Sequence, residues 1–231
     1  RQRQMCIRDR YGTIHARQMT TRSYDISVDK HVDDISSLNV VLVADLHLGY
    51  SIGCSDMEKM VDRINALNPD VVIYAGDIFD NDYDALDDSE RLVEIMRNVS
   101  AAYGSYAVFG NHDVTETLVG GFSTASRTKA FRDPRMEAFL GQVGINIMLD
   151  EVTTIADGKI NLIGRLDGEK AGDGTSNRKD LSELVKQCDM SKPVIVINHE
   201  PDKLHETAAM GVDVMLSGHP HAGKFFPMTI I

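Results

Sequence analysis

Apolar residues along the chain follow strand-like and helix-like patterns, and from residue 22 onward segments of these two kinds alternate. Continuous apolar runs rich in β-branched residues predict strands that are buried on both faces of a sheet. Such runs are Asn39–Ala44, Val71–Ala75 and Pro193–Ile197, and Ser105–Phe109 and Val212–Leu216 are also predicted to be strands. Tyr24–Val28 alternates polar and apolar positions instead, which predicts a half-exposed strand.

Apolar positions spaced three and four residues apart predict helices between these strands. The first helix follows Ser55-x-x-Glu58, which has the form of a capping box, and Asn68-Pro69 ends it. The other predicted helices are Ser89–Val99, Arg127–Leu140 with an interruption at Pro134, Asp180–Gln187 and Lys203–Met210.

Short strands are predicted close together later in the chain, at Ile145–Leu149, Val152–Ile155 and Ile160–Ile163. Strands thus alternate with helices early and cluster later, which predicts a layered α/β fold with at least two sheets. We expect one domain over residues 22–231, preceded by an unstructured or non-native leader at residues 1–21.

Composition narrows the classes of protein that this chain can represent. The 231 residues are 42% hydrophobic, which is enough for a substantial core, and their net charge of −11 argues against a general nucleic-acid-binding surface. The three cysteines form no CxxC pair, so neither a disulfide framework nor a zinc-thiolate site is predicted. There is no run of 18 apolar residues and no secretory signal, so the sequence predicts a soluble, cytoplasmic chain.

Polar clusters follow five of the predicted strands. They are Asp45-Leu46-His47, Gly76–Asp80, Gly110–Asp113, Asn198–Glu200 and Ser217–His221. In open α/β sheets, ligands bind beyond the carboxyl ends of the strands, so we expect these clusters to converge on one site.

The residue types in the clusters indicate a metal centre. Seven side chains offer oxygen or imidazole donors and no thiolate: Asp45, His47, Asp77, Asn111, His199, His219 and His221. This donor set suits Mn, Fe or Zn. Seven ligands exceed the need of one ion, but with one bridging carboxylate they fit two ions about 3.5–4 Å apart, the arrangement used to attack phosphate esters.

The ordered motifs DxH, GDxxD, GNHD, a His after a strand and GHxH, spread over Asn39–His221, resemble those of the calcineurin-like metallophosphoesterase superfamily. The resemblance implies a four-layer α/β/β/α sandwich with two mixed sheets. It implies that one metal ion is bound by Asp45, His47, Asp77 and His221. A second ion is then bound by Asp77, Asn111, His199 and His219, with Asp77 bridging the two.

The same resemblance implies roles for other residues of the motifs. His112 would stabilise the transferred phosphoryl group or protonate the leaving oxygen, and Asp113 would orient it. Independently of the resemblance, Asp80 is expected to brace the site from behind the ligands or to cap a turn, and not to bind metal directly. Arg165 either meets a substrate phosphate or forms a salt bridge.

A finer resemblance connects the chain to a bacterial, membrane-associated phosphodiesterase subgroup. The segments that carry it are Tyr11-Gly12, Gly164-Arg165, Arg178–Leu184 and Ser217–Phe226. It implies membrane association of the full-length protein through segments absent from this chain, and a lipid- or nucleotide-linked phosphate ester as substrate.

Two departures from the family pattern lead to further expectations. Pro220 replaces the usual Thr of the last motif. The chain also ends at Ile231, shortly after that motif, so the domain is expected to be incomplete at its C-terminus.

The function predicted from the sequence is metal-dependent hydrolysis of phosphoric monoesters or diesters, by two metal ions and a bridging hydroxide. The alternative is a non-catalytic metal-binding scaffold or an inactive fragment of the same fold, which Pro220 and the early end of the chain keep open. A nuclease of this superfamily is disfavoured because the chain lacks a basic patch.

Overall fold

The fold combines ten short strands with five α-helices in the part of the chain that the computed structural model describes, residues 19–115, 118–119, 122–123, 131–172 and 177–219. The strands are β1 Val40–Val43, β2 Val71–Ala75, β3 Ser105–Val108, β4 Leu118–Val119, β5 Phe122–Ser123, β6 Ile145–Ile147, β7 Glu151–Ile155, β8 Ile160–Gly164, β9 Val194–Ile197 and β10 Val214–Leu216. The helices are α1 Cys54–Ala66, α2 Ser89–Met96, α3 Pro134–Val143, α4 Leu181–Val185 and α5 Leu204–Ala209, with a 3-10 turn at Tyr83–Ala85.

These strands form two four-stranded sheets and one small hairpin. The first sheet has the order β1-β2-β3-β6, and its described strands all run parallel. The second has the order β10-β9-β8-β7, in which only the β7–β8 pair is antiparallel. The hairpin pairs β4 with β5. The predicted α/β fold with two sheets is confirmed, although only the second of the described sheets is mixed.

Side-chain alternation along the buried strands produces the layers of the fold. In β2, Val72 and Tyr74 pack against α1, α2 and α3, whereas Val71, Ile73 and Ala75 face the second sheet. The second sheet repeats this arrangement, because Leu162 of β8 lies between the sheets and Ile163 packs against α4. Two sheets therefore lie face to face between outer layers of helices, as the resemblance implies.

Three local predictions are wrong or need adjustment. Tyr24–Val28 forms no strand in the described structure, and both Tyr24 and Ile26 are exposed. Alternation alone cannot make a strand, because a strand also needs a partner.

Helix α1 begins at Cys54 with Gly53 as its N-cap, so Ser55 is not the capping residue. A distant carboxylate provides the missing acceptor, since Asp87 Oδ2 accepts the Cys54 N–H at 3.3 Å. Helix α3 begins at Pro134 and is not interrupted there. Its N-cap is Asp133, which accepts the Arg135 N–H at 2.9 Å, and proline suits a first helical turn.

Two of the residues singled out in the sequence, Pro220 and His221, lie outside the described residues. Most of the predicted leader, residues 1–18, also lies outside them.

Candidate metal centre

The polar clusters follow the carboxyl ends of strands in both sheets. Backbone hydrogen bonds continue the ladders past the strand ends, since Asp45 N–H donates to Gly76 O and His47 N–H donates to Asp77 O. In the second sheet, Gly218 N–H donates to His199 O at 3.1 Å. These bonds fix the positions of the loops from neighbouring strands relative to one another, so their side chains project from a rigid edge.

Four of the predicted ligand residues have left-handed backbone conformations. The φ angles are +54° at Asp45, +48° at His47, +51° at Asp77 and +69° at His219. This conformation costs roughly 1–2 kcal/mol for a residue with a Cβ, and such residues cluster at functional sites. The left-handed conformation turns the chain sharply after each strand and directs the side chains toward the common edge.

Two glycines of the motifs allow the loops to approach closely. A Cβ on Gly76, whose φ is +85°, would lie 2.5 Å from His199 Nδ1 and 2.9 Å from the Gly110 nitrogen. A Cβ on Gly110 would collide with the Asp77 carboxylate. Glycine is therefore required at both positions for the ligand-bearing loops to meet.

One group of potential ligands consists of Asp45, Asp77 and His199, whose donor atoms all lie within 4.8 Å of one another. His199 Nε2 is 3.3 Å from Asp77 Oδ2 and 3.1 Å from Asn111 Oδ1, so two acceptor oxygens converge on one nitrogen. Such a pair of oxygens around a nitrogen favours a positive charge at this place.

The pKa of His199 reflects this preference for positive charge. Burial by itself opposes protonation, but the hydrogen bond and charge of Asp77, together with the Ala75 carbonyl, raise the pKa to about 9. The same carbonyl accepts from Nδ1 at 2.8 Å, which leaves Nε2 facing Asp77. That arrangement is typical of metal-binding histidines, whose second nitrogen donates to a backbone oxygen.

Asp77 connects this group to a second one, which consists of His47, Asp80 and His112. Asp77 Oδ2 lies 3.7 Å from His47 Nε2 as well as 3.3 Å from His199 Nε2. Its other oxygen, Oδ1, accepts the His112 N–H at 2.8 Å, which fixes the carboxylate. The carboxylate is fully buried, and one of its oxygens faces an imidazole from each of the two groups.

Asp80 lies at the exposed side of the second group. Its Oδ1 is 3.4 Å from His47 Nδ1 and 3.8 Å from His112 Nδ1, and the His47 and His112 rings meet edge to face at 4.9 Å. Asp80 therefore contacts both imidazoles of this group.

His219 joins the centre through Asp45. Its backbone N–H is 3.1 and 3.2 Å from the two carboxylate oxygens of Asp45, and its ring lies 5.2 Å from that of His199. Among the described residues, the six predicted ligands Asp45, His47, Asp77, Asn111, His199 and His219 thus occur at one place.

His112 is oriented by a residue that the sequence analysis missed. Asn81 Oδ1 lies 2.6 Å from His112 Nδ1, and Asn81 N–H donates to the His112 carbonyl at 3.0 Å. Asn81 directly follows the GDxxD motif, but nothing in the sequence distinguishes it from an ordinary turn residue. Only the pairing of the two loops reveals the contact.

The structure corrects the expected role of Asp113. Its two carboxylate oxygens accept the Phe79 and Gly110 N–H groups, each at 2.7 Å, and the acceptor that contacts the His112 ring is Asn81 Oδ1 instead. Burial, followed by the charge of Asp77, raises the pKa of Asp113 to about 7. Asp113 thus holds together the loops after β2 and β3, which carry Asp77 and His112.

Arg165 lies at the end of β8, where its backbone N–H donates to Ile197 O. Its guanidinium is buried, donates to the Lys179 carbonyl at 2.8 Å and lines a cavity together with Arg178.

In the part of the chain that the structure describes, no helix is long and apolar enough to cross a membrane.

Comparison with known proteins finds one matching protein family and several similar proteins. The calcineurin-like phosphoesterase family matches residues 38–223. A zebrafish (Danio rerio) protein named "Transmembrane protein with metallophosphoesterase domain" is 29% identical over 235 residues, covering 96% of this chain and 49% of that protein.

Two bacterial relatives are also similar. The Bacillus subtilis "Uncharacterized metallophosphoesterase YkuE" is 27% identical, with 93% of this chain and 68% of that protein covered. The Chlamydia trachomatis "UDP-2,3-diacylglucosamine pyrophosphatase LpxG" is 24% identical, with 84% and 67% covered. The chain spans about half the length of the vertebrate relatives that it matches. Because the family match extends over most of the chain and includes the described ligand residues, the chain belongs to the calcineurin-like phosphoesterase family.

Proposed function

We propose that this chain hydrolyses phosphoric ester bonds with two divalent metal ions that share Asp77. The observation that carries the proposal is the position of Asp77 Oδ2, which lies 3.3 Å from His199 Nε2 and 3.7 Å from His47 Nε2. A carboxylate between two imidazole-bearing groups has the form of a bridging ligand. The oxygen and nitrogen donors present fit Mn, Fe or Zn.

The proposed ligands divide into two sets that share Asp77. One set is Asp45, His47, Asp77 and His221, and the other is Asp77, Asn111, His199 and His219. When bound, two such ions would lower the pKa of an attacking water and offset the negative charge on the phosphoryl oxygens.

The remaining chemistry belongs to side chains of this chain. Asn81 holds Nδ1 of His112, so Nε2 is the nitrogen that is presented to a substrate. A protonated Nε2 can donate to the leaving oxygen as the ester bond breaks. Asp80 Oδ1 lies 3.4 Å from His47 Nδ1 and 3.8 Å from His112 Nδ1, so its carboxylate contacts both imidazoles and helps to position them.

The substrate class that we propose is a lipid- or nucleotide-linked phosphodiester. The name of the Chlamydia relative describes a pyrophosphatase that acts on an acylated nucleotide sugar, and this supports testing such compounds first. The names of the vertebrate relatives support membrane association of the full-length protein. The net charge of −11 makes nucleic acid a poor substrate.

Elemental analysis of the purified chain, together with hydrolysis of bis-p-nitrophenyl phosphate after loading with Mn, Fe or Zn, tests the proposal. We expect about two ions per chain and metal-dependent turnover. Asp77→Asn should lose both, whereas Asp62→Asn, at an exposed position of α1, should keep both.

Two results would count against the proposal. Unchanged metal content and turnover in Asp77→Asn would refute the role of Asp77. Bound metal without turnover on any phosphate ester would favour the metal-binding scaffold instead.

A further inference from the structure

A cavity of about 240 Å³ lies on the outer face of the second sheet, away from the interface between the sheets. Arg165 enters it from the end of β8 and lies on the same face as Ile163, which packs against α4. The residues lining it that matter here are Arg165, Arg178, Asp180, Asp202, Lys203 and Thr207. The cavity thus brings two arginines together next to α4 and α5.

Two buried guanidinium nitrogens, one from each arginine that lines this cavity, have no acceptor in the described structure. Arg165 is only 7% exposed, and although one of its terminal nitrogens donates to Lys179 O, its Nε has no hydrogen-bond partner. Arg178 Nε is likewise buried without a partner. A buried N–H without an acceptor is costly, so the described residues do not fully compensate the guanidinium groups that line this cavity.

Three carboxylates line the cavity together with the arginines: Asp180, Asp202 and Glu206, of which Glu206 lies 3.8 Å from the Lys203 ammonium. Asp180 caps α4 by accepting the Ser182 N–H at 2.8 Å. Asp202 accepts from Asn198 Nδ2 at 2.6 Å and lies 3.4 Å from a terminal nitrogen of Arg178. These acceptors therefore leave both Nε atoms unsatisfied.

Asp150 is similarly engaged, because its two oxygens accept the backbone N–H groups of Leu166 and Lys179. The two arginines also repel each other. Burial, followed by the charge of Arg178, lowers the pKa of Arg165. An anion between the guanidinium groups would offset this repulsion and accept from both.

We propose that this cavity binds a phosphate group between Arg165 and Arg178, at a site distinct from the metal centre. Guanidinium groups bind tetrahedral oxyanions through paired N–H donors, which a lysine cannot reproduce. The site adjoins the metal centre through one hydrogen bond, since Arg178 Nη2 donates to Asn198 Oδ1 at 2.5 Å and Asn198 directly precedes His199.

Crystals of the metal-loaded chain soaked in tungstate, a phosphate mimic with a strong anomalous signal, locate the bound anion directly. We expect a peak between Arg165 and Arg178 in addition to any peak at the metal centre. Arg165→Met should remove the cavity peak and Arg165→Lys should weaken it. Arg91→Met is the matched control. Arg91 is exposed, pairs with Glu58 at 2.7 Å and is far in the sequence from the residues that line the cavity.

Tungstate at the metal centre alone, or equal cavity peaks in the wild type and Arg165→Met, would overturn the proposal. The wild-type crystal is decisive by itself if Arg165→Met fails to fold. Because binding is located without measuring turnover, its result does not depend on the proposed hydrolysis.

Kinetics then distinguish two sources of the phosphate group. If the second phosphate of a substrate occupies the cavity, Arg165→Met should lower kcat/KM for UDP-glucose about tenfold and leave bis-p-nitrophenyl phosphate within about twofold. If free phosphate occupies it, both substrates should stay within about twofold while the tungstate peak is still lost.

Discussion

The imidazole of His112 and the side-chain amide of Asn81 form a short hydrogen bond, with 2.6 Å between Nδ1 and Oδ1. The orientation of the amide follows from its other contact, because Asn81 Nδ2 donates to the Val114 carbonyl at 3.2 Å. Oδ1 therefore accepts from Nδ1–H, and Nε2 of His112 is the nitrogen available for proton transfer.

This contact leads to a prediction for Asn81. Asn81→Leu should lower kcat about tenfold or more with the metal content unchanged, because the imidazole loses its fixed orientation. Asn81→Asp keeps the acceptor oxygen and should recover part of the rate. Steady-state kinetics with a p-nitrophenyl and an alkyl leaving group provide the measurement.

The alkyl ester should suffer the larger loss, because its leaving oxygen depends more on proton donation. A purely structural role for Asn81 would slow both esters equally. It would also lower metal content or thermal stability in parallel.

Asp80 offers a second test, since it lies 3.4 Å from His47 and 3.8 Å from His112. Asp80→Asn removes its charge while preserving its shape. We expect turnover to fall roughly 10–100-fold, as is typical when a group that contacts a metal ligand is changed. Turnover of Asp80→Asn within twofold of the wild type would contradict a supporting role, and Asp82→Asn is the control in the same acidic loop.

Gly76→Ala tests the close approach of the loops after β2 and β9. The added Cβ would meet His199 Nδ1 at 2.5 Å and backbone at 2.9 Å, at a φ of +85°. We expect the free energy of unfolding to fall by about 3 kcal/mol and the metal content to drop.

Gly158→Ala is the control that separates the effect of the Cβ collision at Gly76 from the effect of the left-handed backbone conformation. Gly158 has a similar φ of +80°, but its nearest neighbour would be 3.9 Å from the new Cβ, so only about 1 kcal/mol should be lost. Urea denaturation measures both values. Equal losses in the two variants would mean that the contact with His199 is not the cause.

Asp133 leads to a prediction about how the stability of the fold depends on pH. The Arg135 guanidinium holds the pKa of this carboxyl below its usual range, and Asp133 also caps α3. A carboxyl with a depressed folded-state pKa stabilises the fold above its unfolded pKa of about 3.9, and the stabilisation is lost as pH falls through the lower folded pKa.

Asp133→Asn keeps a good N-cap and removes only the charge. We expect the variant to be about 0.5 kcal/mol less stable than the wild type at pH 6, and this difference to shrink as pH falls through the lowered folded-state pKa of Asp133, as measured by urea denaturation. A difference that does not depend on pH would contradict the assignment of the effect to charge.

The sequence by itself determined the secondary elements that are fixed by local patterns. Val71–Ala75 forms the predicted strand, because a short apolar run that begins with three β-branched residues favours a strand buried on both faces. The ordered motifs also identified the residues that follow the strands. This succeeds because parallel strands of one sheet bring their carboxyl ends to the same edge, whereas the meeting of the clusters from the two sheets depends on how the sheets pack.

Contacts between distant segments were decided only by the tertiary structure. Asp87 caps α1 from 33 residues away, Asn81 orients His112 from 31 residues away, and Asp113 binds the loop after β2 instead of the His112 ring. Tyr24–Val28 has the alternating pattern of a strand but pairs with no other strand among the described residues. The physical reason is common to all of them. A local pattern fixes which groups need a hydrogen-bond partner, but the packing of the two sheets decides which groups lie close enough to provide one.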